Sequence, residues 1–254
     1  LHKPWTMAAA DAGKHVLCEK PLALDAQEAQ EMVDYCRDKG VHLAEAFMYR
    51  HHPRIARAKE IVAGGEIGEV RAIRGVFTYN GAENKEDIRF VKKWGGGGLF
   101  DVGCYPLSAA RLILGTEPEA VTVTAQFSPE HDDVDMMASG LVEFAGGVAL
   151  TFDCGMWTVF RNELEIVGSL GRIVLSPSFL PSLDNDGIAV YTGTGERYEG
   201  PFRVDAYVAQ ADQFARTVWG DEPPAFPAED AVANMRLIEA CLESARTIRR
   251  VELG

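Results

Sequence analysis

Two short apolar runs of strand character, His15-Val16-Leu17-Cys18 and Val41 to Phe47, flank a segment with the spacing of an amphipathic helix. Within it Ala29, Met32, Val33 and Cys36 recur at helical intervals, Asp25 stands as an N-cap, and Gly40 ends a helix that runs to about Lys39. Strand, helix and strand at this spacing form a parallel crossover unit, since antiparallel neighbours need only a short hairpin. The unit confines the start of the chain to an α/β layer whose ligands lie beyond the carboxyl ends of the strands. Ahead of it, Lys3-Pro4 opens a short helix ending at Gly13, in which Trp5, Met7 and the alanines at 8 to 10 predict burial.

Past Phe47 the texture changes. A helix is predicted from Pro53 to Gly64 and a long strand from Glu69 to Asn80. Short β-rich segments follow at Val121 to Phe127, Met136 to Phe144, Val148 to Cys154, Asn162 to Val167, Arg172 to Leu175 and Ile188 to Tyr191, separated by turns such as Ala145-Gly146-Gly147. This is the pattern of a mostly antiparallel sheet. Two amphipathic helices, about Asp205 to Val218 and Glu229 to Ile248, close the sequence. The fold class expected is an α/β stub, residues 1–47, followed by an α+β domain, residues 48–254, with a large open sheet. An open sheet of this size needs its exposed face covered, which predicts a homodimer or homotetramer packed through it.

Charge and cysteine usage narrow the function. Asp and Glu outnumber Lys and Arg by 38 to 25, a net charge of -13, and the basic residues do not cluster, so nucleic acid is not an expected partner. No run reaches the roughly 18 apolar residues of a membrane span, and the polar residues of the first dozen positions do not suit a signal peptide. Five scattered cysteines without a C-x-x-C pair read as reduced thiols, and a cytoplasmic protein is expected. Hydrolase elbow, zinc-protease and phosphate-loop motifs do not occur.

Three constellations could carry chemistry. Glu19-Lys20-Pro21 follows the first strand directly, so Lys20 leaves the carboxyl end of the parallel pair; a solvated turn lysine is the competing reading. The run Trp94-Gly95-Gly96-Gly97-Gly98-Leu99-Phe100-Asp101-Val102-Gly103-Cys104-Tyr105-Pro106 leads into a helix from Leu107 to Leu114, and its glycines suggest close approach of backbone to a ligand. If the helix already begins near Asp101, Asp101 and Tyr105 share a face as a proton-handling pair, although a cap at Asp101 with Tyr105 in the core suits the same spacing. In the segment Glu45 to Pro53, Arg50 and His52 are candidates for substrate or cofactor contact. The adjacent His51 and His52 diverge on an extended chain and do not suggest a metal site. The acidic run His131-Asp132-Asp133-Val134-Asp135 reads as a polar turn rather than a calcium loop.

The stretch Gly13-Lys14-His15-Val16-Leu17-Cys18-Glu19-Lys20-Pro21-Leu22-Ala23, the later Asp101-x-Gly103-x-Tyr105, and Ala46-Phe47-Met48-Tyr49-Arg50 before Pro53 together resemble the glucose-fructose oxidoreductase and inositol dehydrogenase (Gfo/Idh/MocA) family. Tyrosine at 105 is similar to the branch that includes dimeric dihydrodiol dehydrogenase and the xylose dehydrogenases. The resemblance implies an NAD- or NADP-dependent oxidoreductase transferring hydride to or from a sugar, polyol or related hydroxyl compound. It implies a Rossmann domain that residues 1–47 would complete, with its Gly-rich nucleotide turn ahead of Leu1, so that the 254 residues alone would bind a dinucleotide poorly. It also implies that Lys20 is the catalytic lysine, Asp101 the substrate-orienting aspartate and Tyr105 the acid/base, with Glu19, Lys20 and Pro21 against the cofactor. A free tyrosine titrates near 10, so the ammonium of Lys20 is expected to favour the phenolate. Two other readings suit the same motifs: a family member that retains NAD while cleaving or epimerising a glycoside, and a non-catalytic, oligomeric sugar-binding or interaction module.

Overall fold

The structure is a computed structural model and describes residues 1–253. Helix α1 (His2–Asp11) precedes strand β1 (Val16–Glu19), helix α2 (Ala26–Asp38) and strand β2 (Leu43–Ala46). β1 and β2 pair in parallel, from Val16 beside Leu43 to Glu19 beside Ala46, with α2 as the crossover. Asp25 caps α2 by accepting from the Glu28 amide at 2.6 Å, and Glu28 reaches back to accept from the Leu24 amide at 2.8 Å. The first helix is not the buried one that its alanines predict. Trp5 is 71% exposed, and Thr6 and Ala10 are the residues it buries.

A tight turn at Met48–His51 leads into α3 (Pro53–Ala63) and the long strand β3 (Val70–Asn80). A loop then enters a single wide π-type turn, Leu99–Gly103, and α4 (Cys104–Leu114) continues from it. Strands β4 (Ala120–Ser128), β5 (Val134–Glu143), β6 (Ala149–Gly155), β7 (Trp157–Gly168), β8 (Gly171–Leu175), β9 (Ile188–Thr192) and β10 (Gly195–Glu199) follow. Helices α5 (Ala206–Trp219) and α6 (Glu229–Thr247) and the short β11 (Val251–Glu252) end the chain.

The second sheet has nine strands in the order β10-β9-β8-β7-β3-β6-β5-β4-β11. Every neighbouring pair is antiparallel except β3 and β6. One face is apolar: Ile73, Val123, Ala138, Leu150 and Ile166 are buried, α4 packs on β3 and β6, and α6 packs on β4. The other face carries an ion-paired row, with Arg74 and Arg172 both on Glu165 at 3.1 and 2.7 Å.

The acidic run is only partly the polar turn that its sequence predicts. Asp132 and Asp133 take positive φ at the surface, but Asp135 lies in β5, is 1% exposed, and points its carboxylate into the Gly-rich segment.

Candidate active site

The parallel pair and the large sheet meet at a cleft of about 700 Å³. Glu19, Lys20 and Pro21 form one wall, at the carboxyl edge of β1. The opposite wall comes from the end of β3, with Phe77 and Tyr79, and from the π-turn and α4, with Phe100, Asp101 and Tyr105.

Lys20 is the hinge of the arrangement. Its Nζ donates to the Asp101 carbonyl oxygen at 2.5 Å and to Asp101 Oδ1 at 3.3 Å, and stands 4.8 Å from the centre of the Tyr105 ring. The π-turn makes this possible. Within it the Asp101 carbonyl faces Lys20 Nζ and the Cys104 thiol.

Asp101 gathers donors from three elements. Besides Lys20, Oδ2 accepts from the Tyr79 hydroxyl at 2.7 Å and Oδ1 from Arg89 Nε at 3.1 Å. Burial by itself would raise this carboxyl, but Lys20, Tyr79 and Arg89 together hold it below the ordinary aspartate value. Burial likewise works against the Lys20 ammonium, and Cys104 and Asp101 more than offset it, so Lys20 stays charged. Tyr79 and Arg89 are the residues that sequence reasoning missed.

Tyr105 differs from expectation in its ionisation. It is 5% exposed, ringed by Phe47, Tyr49, Phe77 and Phe179, and its hydroxyl donates to Met48 Sδ at 3.8 Å. Burial first, then Cys104, Tyr207 and Asp101, push the phenol well above its ordinary value. The Lys20 charge that was expected to draw out a phenolate faces Asp101 at closer range, and Tyr105 is held neutral.

The glycine run also differs. A Cβ at Gly96 would stand 2.6 Å from the Arg89 carbonyl oxygen, and one at Gly97, where φ is +125°, would overlap the Asp135 carboxylate. These two glycines make room for the protein itself, rather than for a ligand.

Arg50 and His52 are not brought to the cleft. Arg50 donates to Ser108 Oγ at 2.9 Å and to Asp230 at 2.5 Å, and lies over the Phe47 ring. Asp230 also accepts from Arg111 at 2.8 Å, so the pair ties the Met48–His51 turn to α4 and α6. His52 Nε2 lies 3.2 Å from Asp186, which accepts from the Phe202 and Arg203 amides and fixes the segment before α5. Both side chains are buried braces, which a charge-rich loop sequence does not reveal. Among the described residues no three His, Cys, Asp or Glu side chains gather as a metal site, and no helix is long and apolar enough to cross a membrane.

The cleft lies at the carboxyl edge of a parallel pair, where α/β folds bind their ligands, with a lysine, a carboxylate and a buried phenol around it. Comparison with known proteins assigns the class. Residues 1–47 match the oxidoreductase family with the NAD-binding Rossmann fold, and residues 55–174 match the GFO/IDH/MocA C-terminal domain. D-xylose 1-dehydrogenase (NADP(+)) 2 of Haloferax volcanii is 39% identical over 254 residues, covering 100% of this chain and 77% of that protein. The dTDP-3,4-didehydro-2,6-dideoxy-alpha-D-glucose 3-reductase of Actinomadura kijaniata is 32% identical over 250 residues, 98% of this chain and 74% of that one. Among solved structures, the aldose-aldose oxidoreductase from Caulobacter crescentus complexed with glycerol superposes with a TM-score of 0.92 at 27% identity, covering 100% of this chain and 76% of that one. The 3-ketoreductase from Actinomadura kijaniata, in complex with NADP and TDP-benzene, does so with a TM-score of 0.89 at 31% identity, over 96% and 75%. The chain belongs to the Gfo/Idh/MocA family and is an NAD(P)-dependent oxidoreductase.

The walls suit such a cofactor chemically. An ammonium and backbone polar groups at a strand end face an aromatic wall, an environment for a flat ring with one polar edge.

Proposed function

We propose that the chain interconverts a carbonyl and a carbinol on a sugar, polyol or related hydroxyl compound. Tyr105 moves the proton, Lys20 stabilises charge on the reacting oxygen, and Asp101 accepts from a neighbouring substrate hydroxyl. The bound nicotinamide supplies the two-electron chemistry; Glu19, Lys20 and Pro21 would hold that end of it. The observation carrying this reading is Lys20 Nζ set 4.8 Å from the Tyr105 ring and 3.3 Å from the Asp101 carboxylate, across 81 residues of sequence.

A neutral phenol is a general acid, which suits carbonyl reduction: as the oxygen gains negative charge, Tyr105 protonates it. Its present acceptor, the Met48 thioether, is a weak one that a substrate oxygen readily displaces. Lys20 adds electrostatic stabilisation at the same oxygen. The cations of the cleft are matched by anions, Lys20 with Asp101 and Arg89 with Asp87 and Asp101, which favours an uncharged polyhydroxyl substrate over an acid. The sugar-directed names of the relatives support the same class.

Residues 1–47 and 48–254 form the two domains of this proposal. Homodimers or homotetramers pack through the uncovered face of the nine-stranded sheet, and five unpaired, buried thiols suit a cytoplasmic location. The direct test takes the protein together with the Gly-rich nucleotide turn that the family resemblance places ahead of Leu1, mixes it with NADP or NAD and a panel of aldoses, ketoses and polyols, and follows the nicotinamide absorbance. Turnover is expected, with Lys20→Ala lowering kcat by about 10²-fold or more. No turnover in either direction, or an undiminished Lys20→Ala rate, would overturn the reading.

A further inference from the structure

We propose that Glu45 and Asp135, two buried carboxylates outside the reacting set, are positioning residues that hold Lys20 and Asp101 in register by accepting from the backbone of the two segments that carry them. Glu45 comes from β2 and Asp135 from β5, so each stands on the sheet that backs its segment. Glu45 Oε1 accepts from the Leu22 amide at 2.9 Å, two residues beyond Lys20. Asp135 Oδ2 accepts from the Leu99 amide at 2.7 Å, two residues before Asp101.

Both contacts are built in at a cost. Carboxyl groups are expensive to bury, and burial pushes each of these up to about 7. Glu45 Oε2 is buried with no hydrogen-bond partner, so the side chain is committed to Leu22 alone. Around Asp135 the chain is cut to fit: Gly97 has no room for a side chain beside the carboxylate, and Gly98 lies against Asp135 Oδ2. Lys20 and Asp101 meet across two separate sheets, Lys20 from a bend just past β1 and Asp101 from the single π-turn that opens α4. An anchored amide on each side fixes the bend and the turn against the sheet behind them. Displacing a reacting group by about 1 Å can cost on the order of 10²-fold in rate, the scale on which these anchors act.

The kinetic part of the test rests on the redox reading above. In the NADP-loaded enzyme, Glu45→Ala and Asp135→Ala are expected to lower kcat by about 10²-fold with little change in KM. Glu45→Gln and Asp135→Asn keep an acceptor oxygen and should recover most of the loss. Placed in the Lys20→Ala background, the alanine variants should cost nothing further, because the pair they register is already broken. Equal losses in both backgrounds, or no rescue by the amide variants, would overturn the proposal while leaving the redox reading in place. A second measurement needs neither variant nor substrate. The Leu22 and Leu99 amides of the native protein should exchange with deuterium as slowly as strand amides; fast exchange at both would overturn the proposal even if no sugar is turned over.

Discussion

Tyr105 lies in a pocket that keeps its proton on, while Lys20 and Asp101 hold their charges by facing one another. The same contrast between burial and pairing gives Glu45 a pH signature. Its carboxyl titrates at about 7 in the folded protein against an ordinary 4.5. Between those values the folded state keeps a proton that the unfolded chain has lost, so the stability Glu45 contributes falls as pH rises through this window, by roughly 3 kcal/mol. Glutamine cannot titrate. The Tm of Glu45→Gln relative to the parent should therefore rise steadily from pH 5 to pH 8, and a constant difference would show that Glu45 is not raised. At this scale the meeting of Lys20, Asp101 and Tyr105 in one cleft was legible because a strand end and a short motif carry them. Tyr79 and Arg89 were not: they reach Asp101 through the fold, and no local spacing encodes that. Arg50 and His52 misled for the converse reason, since polar residues beside a turn read as exposed until their buried partners Asp230 and Asp186 are known.

Among the elements, α2 was read almost to the residue because its signals are local: apolar positions at helical spacing and a cap at Asp25. The capping pair makes a simple prediction. Asp25→Ala removes the acceptor for the Glu28 amide and should lower stability by about 1 kcal/mol, seen as a drop in the denaturation midpoint at unchanged slope. An unshifted midpoint would mean that solvent replaces the cap fully. The strands of the large sheet were recognised as short β-rich runs between turns, but β10 and β11 were not, because β10 is polar and mostly exposed and β11 has two residues. The π-turn at Leu99–Gly103 was invisible in sequence, where Asp101 and Tyr105 read as one turn of a regular helix. Its cause is tertiary: Lys20 and Asp135 bond the segment from outside. Trp5, exposed on α1, shows the limit of composition alone, since apolar content does not say which face has a neighbour.

For the whole molecule, a mostly antiparallel open sheet followed from the run of short strands, but its order did not. The parallel pairing of β3 with β6 at the centre joins segments far apart in the chain, and alternation within a strand carries no information about which strand lies beside it. The uncovered face predicts self-association: light scattering at micromolar concentration should give a dimer or tetramer mass, and a charge reversal at Glu165, between Arg74 and Arg172, should weaken it. A monomer mass throughout would assign that face to solvent. The central claim is that two sheets close on one another so that Lys20 from the first and Tyr105 from the second work as one unit. The most direct measurement is kcat for Lys20→Ala, Tyr105→Phe and the double variant. Each single change should lower kcat by about 10²- to 10⁴-fold, with the double variant no slower than the slower single one; losses that multiply, or a Tyr105→Phe rate near that of the parent, would contradict it.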